Sequence, residues 1–219
     1  MSRVSIADRD LVDYAARHGT RPDEVQRSLI DATAERVGDH AMMQIGVDQG
    51  AFMSVLTATL RPRFAVEVGT FTGYSALCLA RGLAEEGRLL CCDVSEEWTA
   101  IALEHWKMAG VDDRIDLVIA PALETLAALP HDPPIDLAFI DADKPGYRSY
   151  YEEILSRLAP NGLILVDNTL WSGRVLADSG ADDENTSALR AFNDFVADDD
   201  RVAVAQLTVG DGVTMIRRR

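Results

Sequence analysis

The chain has 219 residues, of which 36 are acidic and 21 basic, so its formal charge is −15, and 47% of its residues are apolar. A chain of this size and composition can bury about 70% of its extended surface in an ordinary globular core, and its charge disfavours nucleic acid as a partner. No run approaches the ~18 apolar residues of a membrane span, and Arg3, Asp8, Arg9 and Asp10 sit where a signal peptide would be apolar, so a cytoplasmic protein without a membrane partner is expected.

Ile6, Leu11, Val12, Ala15 and Ala16 recur at helical spacing, and Pro22-Asp23-Glu24 brings the proline and acids of a first helical turn. A third helix is expected from Asp48 to Leu60. From Arg63 the pattern changes to short continuous apolar runs: Phe64–Val68, Leu89–Cys92, Ile115–Ile119, Ile135–Ile140 and Leu163–Val166. Such runs suit strands buried on both faces. Helix-length segments near 74–86, 96–109, 122–129 and 146–158 separate them, which predicts a mostly parallel sheet with helices on both sides. A helix near 185–197 follows, and Val202–Val209 and Val213–Ile216 read as a hairpin across Gly210-Asp211-Gly212. The economical organisation is one α/β domain over 1–219, with a helical extension at 1–62 and the α/β core at 63–219. Cys78, Cys91 and Cys92 match neither a disulfide framework nor a C-x-x-C pair and read as core filler. His18, His40, His105 and His131 have no ligand spacing and read as surface or capping residues.

Val66-Glu67-Val68-Gly69-Thr70-Phe71-Thr72-Gly73-Tyr74-Ser75 covers the turn from the first strand into its helix, where open α/β sheets bind ligands. Its G-x-x-x-G spacing is neither a dinucleotide fingerprint nor a P-loop, so a diphosphate cradle is not expected. Glu67 could meet a cationic amino group or remain a solvated charge. Asp93, at the tip of the second strand, could accept both hydroxyls of a ribose or cap the next helix. A nucleoside carrying an amine rather than a diphosphate, such as S-adenosylmethionine, fits Glu67, Gly69 and Asp93 together.

The fourth and fifth strands end in Asp141-Ala142-Asp143-Lys144 and Asp167-Asn168. Asp141, Asp167 and Asn168 thereby offer three hard oxygen donors, suited to Mg²⁺, Mn²⁺ or Ca²⁺ rather than to zinc. Strand-end Asp and Asn also serve as turn formers and N-caps.

With these motifs in register the sequence resembles the cation-dependent class I O-methyltransferases, which include caffeoyl-CoA and catechol O-methyltransferases. The likeness runs through Met43-Gln44, the glycine turn, Gly110-Val111, Pro121-Ala122, Asp141-Ala142-Asp143-Lys144, Asp167-Asn168-Thr169-Leu170-Trp171 and Val209-Gly210-Asp211-Gly212. It implies the seven-stranded Rossmann-like methyltransferase sheet, with the C-terminal hairpin as its last two strands. It also implies that Ile45, Glu67, Gly69, Thr70, Ser75, Asp93, Ala122 and Asp143 line an S-adenosylmethionine site. Asp141, Asp167 and Asn168 would hold the divalent cation, usually Mg²⁺, with Asp141 also facing the substrate. Lys144 resembles the family's general base, a role that needs a neutral amine; an ion pair with Asp143 or Asp167 is its other reading. Trp171 could wall an aromatic substrate or only pack, and Ser172 stands where plant members usually carry Asn.

The implied reaction methylates one hydroxyl of a vicinal dihydroxy aromatic. Both hydroxyls chelate the cation, which makes one oxygen nucleophilic and aims it at the sulfonium methyl. The family's members are usually homodimers. The stretch from Ser172 to Thr186, with its glycines and acids, reads as an acidic rim or lid, and Arg3, Arg9, Arg17 and Arg21 are candidate contacts for a CoA ester. A tRNA wobble-uridine O-methyltransferase and an inactive S-adenosylmethionine-binding protein stay open as alternatives.

Overall fold

The five continuous apolar runs form parallel strands β1 (Phe64–Val68), β2 (Arg88–Asp93), β3 (Ile115–Ile119), β4 (Ile135–Ile140) and β5 (Leu158–Val166). β6 (Val202–Leu207) and β7 (Val213–Arg218) run antiparallel to each other, and β7 pairs with β5, giving the order β3-β2-β1-β4-β5-β7-β6. This is a computed structural model, and it describes residues 9–176 and 183–219. The expected lid falls partly on 177–182 and the expected contact Arg3 on the first eight residues, which lie outside that range. Seven strands in mixed array with a C-terminal hairpin are as the sequence predicts.

The N-terminal helices α1 (Arg9–His18), α2 (Glu24–Val37) and α3 (Val47–Leu60) precede the sheet. α2 starts where the Pro-Asp-Glu signal places it: Asp23 accepts the Gln26 N–H at 2.9 Å, and the Gln26 side chain accepts the Asp23 N–H at 3.1 Å. That reciprocal pair satisfies two of the donors a helix start leaves open. A 3-10 segment, Gly38–Met43, joins α2 to α3 and has no sequence counterpart in the periodicity.

Between the strands lie α4 (Tyr74–Ala80), α5 (Glu96–Ala109), α6 (Ala122–Ala128) and α7 (Tyr147–Arg157), and α8 (Glu184–Ala197) precedes the hairpin. α4 is shorter than the expected 74–86. Its end abuts α3 so closely that a Cβ on Gly82 would lie 2.5 Å from the Ala58 nitrogen. β5 begins before its apolar run, because Gly162 lets the strand pass the Ile135 carbonyl, from which a Cβ would be 2.8 Å.

Strand residues alternate between two cores. Ala65, Leu89, Cys91, Phe139 and Leu165 pack with α2 to α5, whereas Val66, Leu90, Cys92, Ile140 and Val166 pack with α6 to α8. Period-two side-chain direction thus separates the vicinal cysteines onto opposite faces, and all three cysteines are buried and free, as read from the sequence. His105 departs from expectation: it is 4% exposed, and its Nδ1 lies 2.8 Å from the Ile101 carbonyl. No helix among the described residues is long and apolar enough to cross a membrane.

Candidate active site

The strand order reverses between β1 and β4: the chain proceeds from β1 outward to β2 and β3, then returns to β4 and β5 on the other side. A crevice opens at such a switch point, beyond the carboxyl ends of the strands. Hydrogen bonds continue past the strand ends and fix the tips. Gly69 N–H reaches Cys92 at 2.9 Å, Asp141 N–H reaches Val68 at 2.8 Å, and Asp167 N–H reaches Ile140 at 2.9 Å. Glu67, Gly69, Asp93, Asp141 and Asp167 therefore stand along one rim. Gly69, at φ 89°, lies so close to β4 that a Cβ would run into the Asp141 carbonyl oxygen.

Glu67 is fully buried rather than solvated. The Cys91 thiol donates to its Oε2 at 3.4 Å, while Oε1 and the neighbouring Thr70 Oγ1 have no hydrogen-bond partner among the described residues. Burial pushes the carboxyl up to about 8. A buried carboxylate oxygen without a donor is costly, and an ammonium group would satisfy it. Ser75 is buried in the first turn of α4, Ile45 is buried two residues before α3, and Ala122 opens α6, half-buried.

Asp93 is occupied in a way the sequence did not suggest. Its Oδ2 accepts the N–H groups of Thr70 at 2.9 Å and Phe71 at 2.7 Å, and its Oδ1 accepts those of Val94 at 2.7 Å and Ser95 at 2.8 Å. The carboxylate thus ties the glycine turn to the end of β2. The cap of α5 is Ser95, whose hydroxyl accepts the Trp98 N–H at 3.2 Å. Asp143 is also engaged: it is exposed, and it accepts Gly146 N–H at 3.1 Å and the Tyr150 hydroxyl at 2.5 Å.

At the tips of β4 and β5 one ammonium gathers three oxygens. Lys144 Nζ donates to Asp141 Oδ1 at 3.1 Å, to Asn168 Oδ1 at 2.6 Å and to the Tyr147 hydroxyl at 2.7 Å. The ion pair is therefore with Asp141, not with Asp143 or Asp167. Asp167 is 1% exposed, and its Oδ1 accepts the Asn168 N–H at 2.7 Å. Burial, reinforced by the Asp141 charge, pushes its carboxyl up to about 7. Among the described residues no group of three or more His, Cys, Asp or Glu is poised for a metal; the candidate set is two carboxylates and an amide.

The segment that carries Asn168 is held from several directions. Asn168, Trp171 and Ser172 all have left-handed backbones, at φ 56°, 47° and 50°. Such residues persist where surroundings over-determine them. Thr169 N–H reaches Gly212 at 3.0 Å, its carbonyl accepts the Asn193 amide at 2.8 Å and the Gln206 amide at 3.2 Å, and its hydroxyl accepts from Thr214 at 3.0 Å. Leu170 N–H reaches the Asp211 carbonyl at 3.0 Å, and Ser172 N–H reaches the Asp211 carboxylate at 2.5 Å. Farther on, Arg190 donates to the carbonyls of Arg174, Val175 and Leu176. Trp171 is half-buried with its ring centre 5.6 Å from Lys144 Nζ, and Ser172 is exposed. Tyr147 and Asn193 carry no signal in the sequence, and Thr169 and Asp211 stand within the Asp167–Trp171 and Val209–Gly212 motifs without an assigned role, because those roles come from contacts made only in the folded chain.

A family model described as O-methyltransferase matches residues 17–219. The Dictyostelium discoideum protein named Probable caffeoyl-CoA O-methyltransferase 2 is 37% identical over 214 residues, covering 96% of this chain and 92% of that protein. Among solved structures, an SAH-bound methyltransferase from Podospora anserina superimposes with a TM-score of 0.88 at 28% identity, covering 100% of both chains. An O-methyltransferase of Streptomyces achromogenes involved in tomaymycin synthesis, in complex with SAM, gives a TM-score of 0.85 at 25% identity, covering 95% of this chain and 96% of that one.

Proposed function

The chain belongs to the O-methyltransferase family, and from that premise we propose that it methylates one hydroxyl of a vicinal dihydroxy aromatic small molecule, using S-adenosylmethionine and a divalent cation. The observation that carries this reading is the convergence of Asp141 Oδ1 and Asn168 Oδ1 on a single cationic nitrogen, beside the buried Asp167 carboxylate. Oxygens already directed at one cation, two of the three groups being carboxylates, fit Mg²⁺ or Mn²⁺. Asp141, Asp167 and Asn168 would hold that ion, which supplies Lewis acidity toward the acceptor's hydroxyls when bound.

S-adenosylmethionine supplies a methyl made electrophilic by its sulfonium, and the relatives solved with SAM or SAH support it as the methyl source. Glu67 would take its ammonium, since the unpartnered Oε1 is a buried acceptor that calls for a cationic donor. Asp93 shapes the turn formed by Gly69, Thr70 and Phe71, and offers a ribose whatever accepting capacity four backbone donors leave. Ile45, Ser75, Ala122 and Asp143 would complete the nucleoside's surroundings.

On the acceptor side Lys144 would receive the phenolic proton as the oxygen takes the methyl. Trp171 would lie along the aromatic ring, with Ser172 at the outer edge. Met42, Val47 and Val55 are exposed on the segment Gly38–Met43 and on α3, an apolar surface that a homodimer would cover. Light scattering well above the 23.9 kDa of one chain is the result this assembly requires. The function is tested by incubating the protein with S-adenosylmethionine, Mg²⁺ and a panel of vicinal diphenols. Mass spectrometry should find a monomethylated diphenol, and no methylated product across the panel would reject the reading.

A further inference from the structure

Trp171 and Ser172 keep left-handed backbones, at φ 47° and 50°, on a half-buried to exposed turn. A backbone of this kind relaxes unless its surroundings hold it. The hairpin turn holds it from one side, through the Asp211 contacts with Leu170 and Ser172. The indole N–H of Trp171 has no hydrogen-bond partner among the described residues, so the ring takes its place from packing and from the backbone that carries it. What fixes the chain just after Trp171 therefore bears on the ring itself.

That support comes from α8. Arg174 N–H reaches the Trp171 carbonyl at 2.8 Å, and the carbonyls of Arg174, Val175 and Leu176 follow, which among the described residues no backbone N–H reaches. Arg190 does. Its Nε donates to Val175 at 3.0 Å, and its Nη2 donates to Arg174 at 2.9 Å and to Leu176 at 2.8 Å. A guanidinium presents its donors in a fixed plane, so three carbonyls bound along one edge are held relative to each other as well as to the helix. The helix is itself firmly seated: Leu189, Phe192 and Val196 are buried, and the Phe192 ring meets Tyr147 edge-on at 5.7 Å and Tyr151 at 6.1 Å.

We propose that Arg190 is a positioning residue for the acceptor: by clamping the carbonyls of Arg174, Val175 and Leu176 to α8, it holds Trp171 where the aromatic ring of the acceptor is to lie. The inference rests on the reading of Trp171 as the wall of the acceptor site. Arg190→Met is the matched variant, because it keeps an unbranched apolar stem and removes the donors.

The test joins kinetics with a readout that needs no turnover. With a diphenol that the wild-type chain methylates, Arg190→Met should raise the KM for the diphenol roughly tenfold, with kcat and the Kd for S-adenosylmethionine held within about twofold. An unchanged KM would overturn the proposal, as would a loss confined to kcat. The chain has three tryptophans, Trp98, Trp106 and Trp171, so 5-fluorotryptophan labelling gives three ¹⁹F signals, and Trp171→Phe assigns one of them by its loss. Arg190→Met should shift or broaden the Trp171 signal and leave those of Trp98 and Trp106 in place. A Trp171 signal identical to that of the wild type counts against the clamp. If Arg190→Met also loses the Trp98 and Trp106 signals of the folded chain, Arg190→Lys, which keeps the charge without the planar fork, takes its place and the same displacement of Trp171 is required. Failure of the wild-type chain to methylate any diphenol would strike the functional reading instead, and the Trp171 signal would still decide whether Arg190 holds the ring.

Discussion

Ser172 and Asp211 stand 39 positions apart in sequence, yet the Ser172 N–H donates to the Asp211 carboxylate at 2.5 Å. The turn between β6 and β7 therefore holds the backbone beside Trp171 in its left-handed conformation. Asp211→Ala should release that backbone at a loss of about 1.4 kcal/mol, or roughly tenfold in the KM for the phenolic acceptor. Affinity for S-adenosylmethionine should be unchanged by calorimetry. A change confined to cofactor affinity would place the turn's influence elsewhere.

Glu67 makes stability depend on pH in an unusual direction. Burial raises its carboxyl from 4.5 to about 8, so between those values the folded chain binds a proton that the unfolded chain has lost. Stability should fall as pH rises through this window, by up to about 1.4 kcal/mol per pH unit, and level off above it. Asp167, raised to about 7, adds the same sign over a narrower range. Urea unfolding of the cofactor-free protein across pH 4.5–8 measures the slope, and Glu67→Gln should flatten it by one proton's share. An identical slope in the variant would show that Glu67 is not its source.

Asp93→Ala should do more than weaken cofactor binding. The variant strips four backbone N–H groups of their acceptor and frees the glycine turn from β2. A loss of about 2–4 kcal/mol is expected without any ligand, seen as a melting temperature lower by roughly 5–15 °C. If the ligand-free protein melted as the wild type does and only S-adenosylmethionine affinity fell, the carboxylate would be a ribose ligand with no structural duty.

The strands, their tips and the hairpin are legible because parallel-sheet strands leave continuous apolar runs and because Asp93, Asp141 and Asp167 each close one, with Glu67 one residue short of the end of the first. What escaped notice has a common cause. Asp211 on Ser172, Thr214 on Thr169 and the Tyr147 hydroxyl on Asp167 are contacts that follow from packing, and no local spacing encodes them. The end of α4 was missed similarly, since the close approach of Gly82 to α3 overrides the helical propensity of residues 81–86. Asp93 was identified by position, but the four donors around it belong to loops whose geometry a one-dimensional reading lacks.

Removal of divalent ions is expected to separate the two halves of the reaction. EDTA should abolish methylation of a catechol, Mg²⁺ or Mn²⁺ should restore it, and S-adenosylmethionine binding should persist throughout. Asp167→Ala should mimic EDTA and resist rescue, because only one carboxylate would remain. A monohydroxy aromatic should react poorly under all conditions. Full turnover in EDTA would reduce Asp141, Asp167 and Asn168 to turn-forming roles.

The separation of Cys91 and Cys92 onto opposite faces of the sheet gives the protein a pair of internal reporters. Neighbours in sequence, they sit in different compartments: Cys91 with Cys78 beneath α2 to α5, and Cys92 beneath α6 to α8. Burial raises Cys78 to about 11, Cys92 to about 12 and Cys91 well above its ordinary value, so none reacts as a thiolate while its layer is closed. A thiol reagent applied under native conditions would therefore time the opening of each layer separately. Simultaneous labelling of all three would mean that the two layers come apart as one cooperative unit, and earlier labelling of Cys92 would identify the α6–α8 side as the first to loosen.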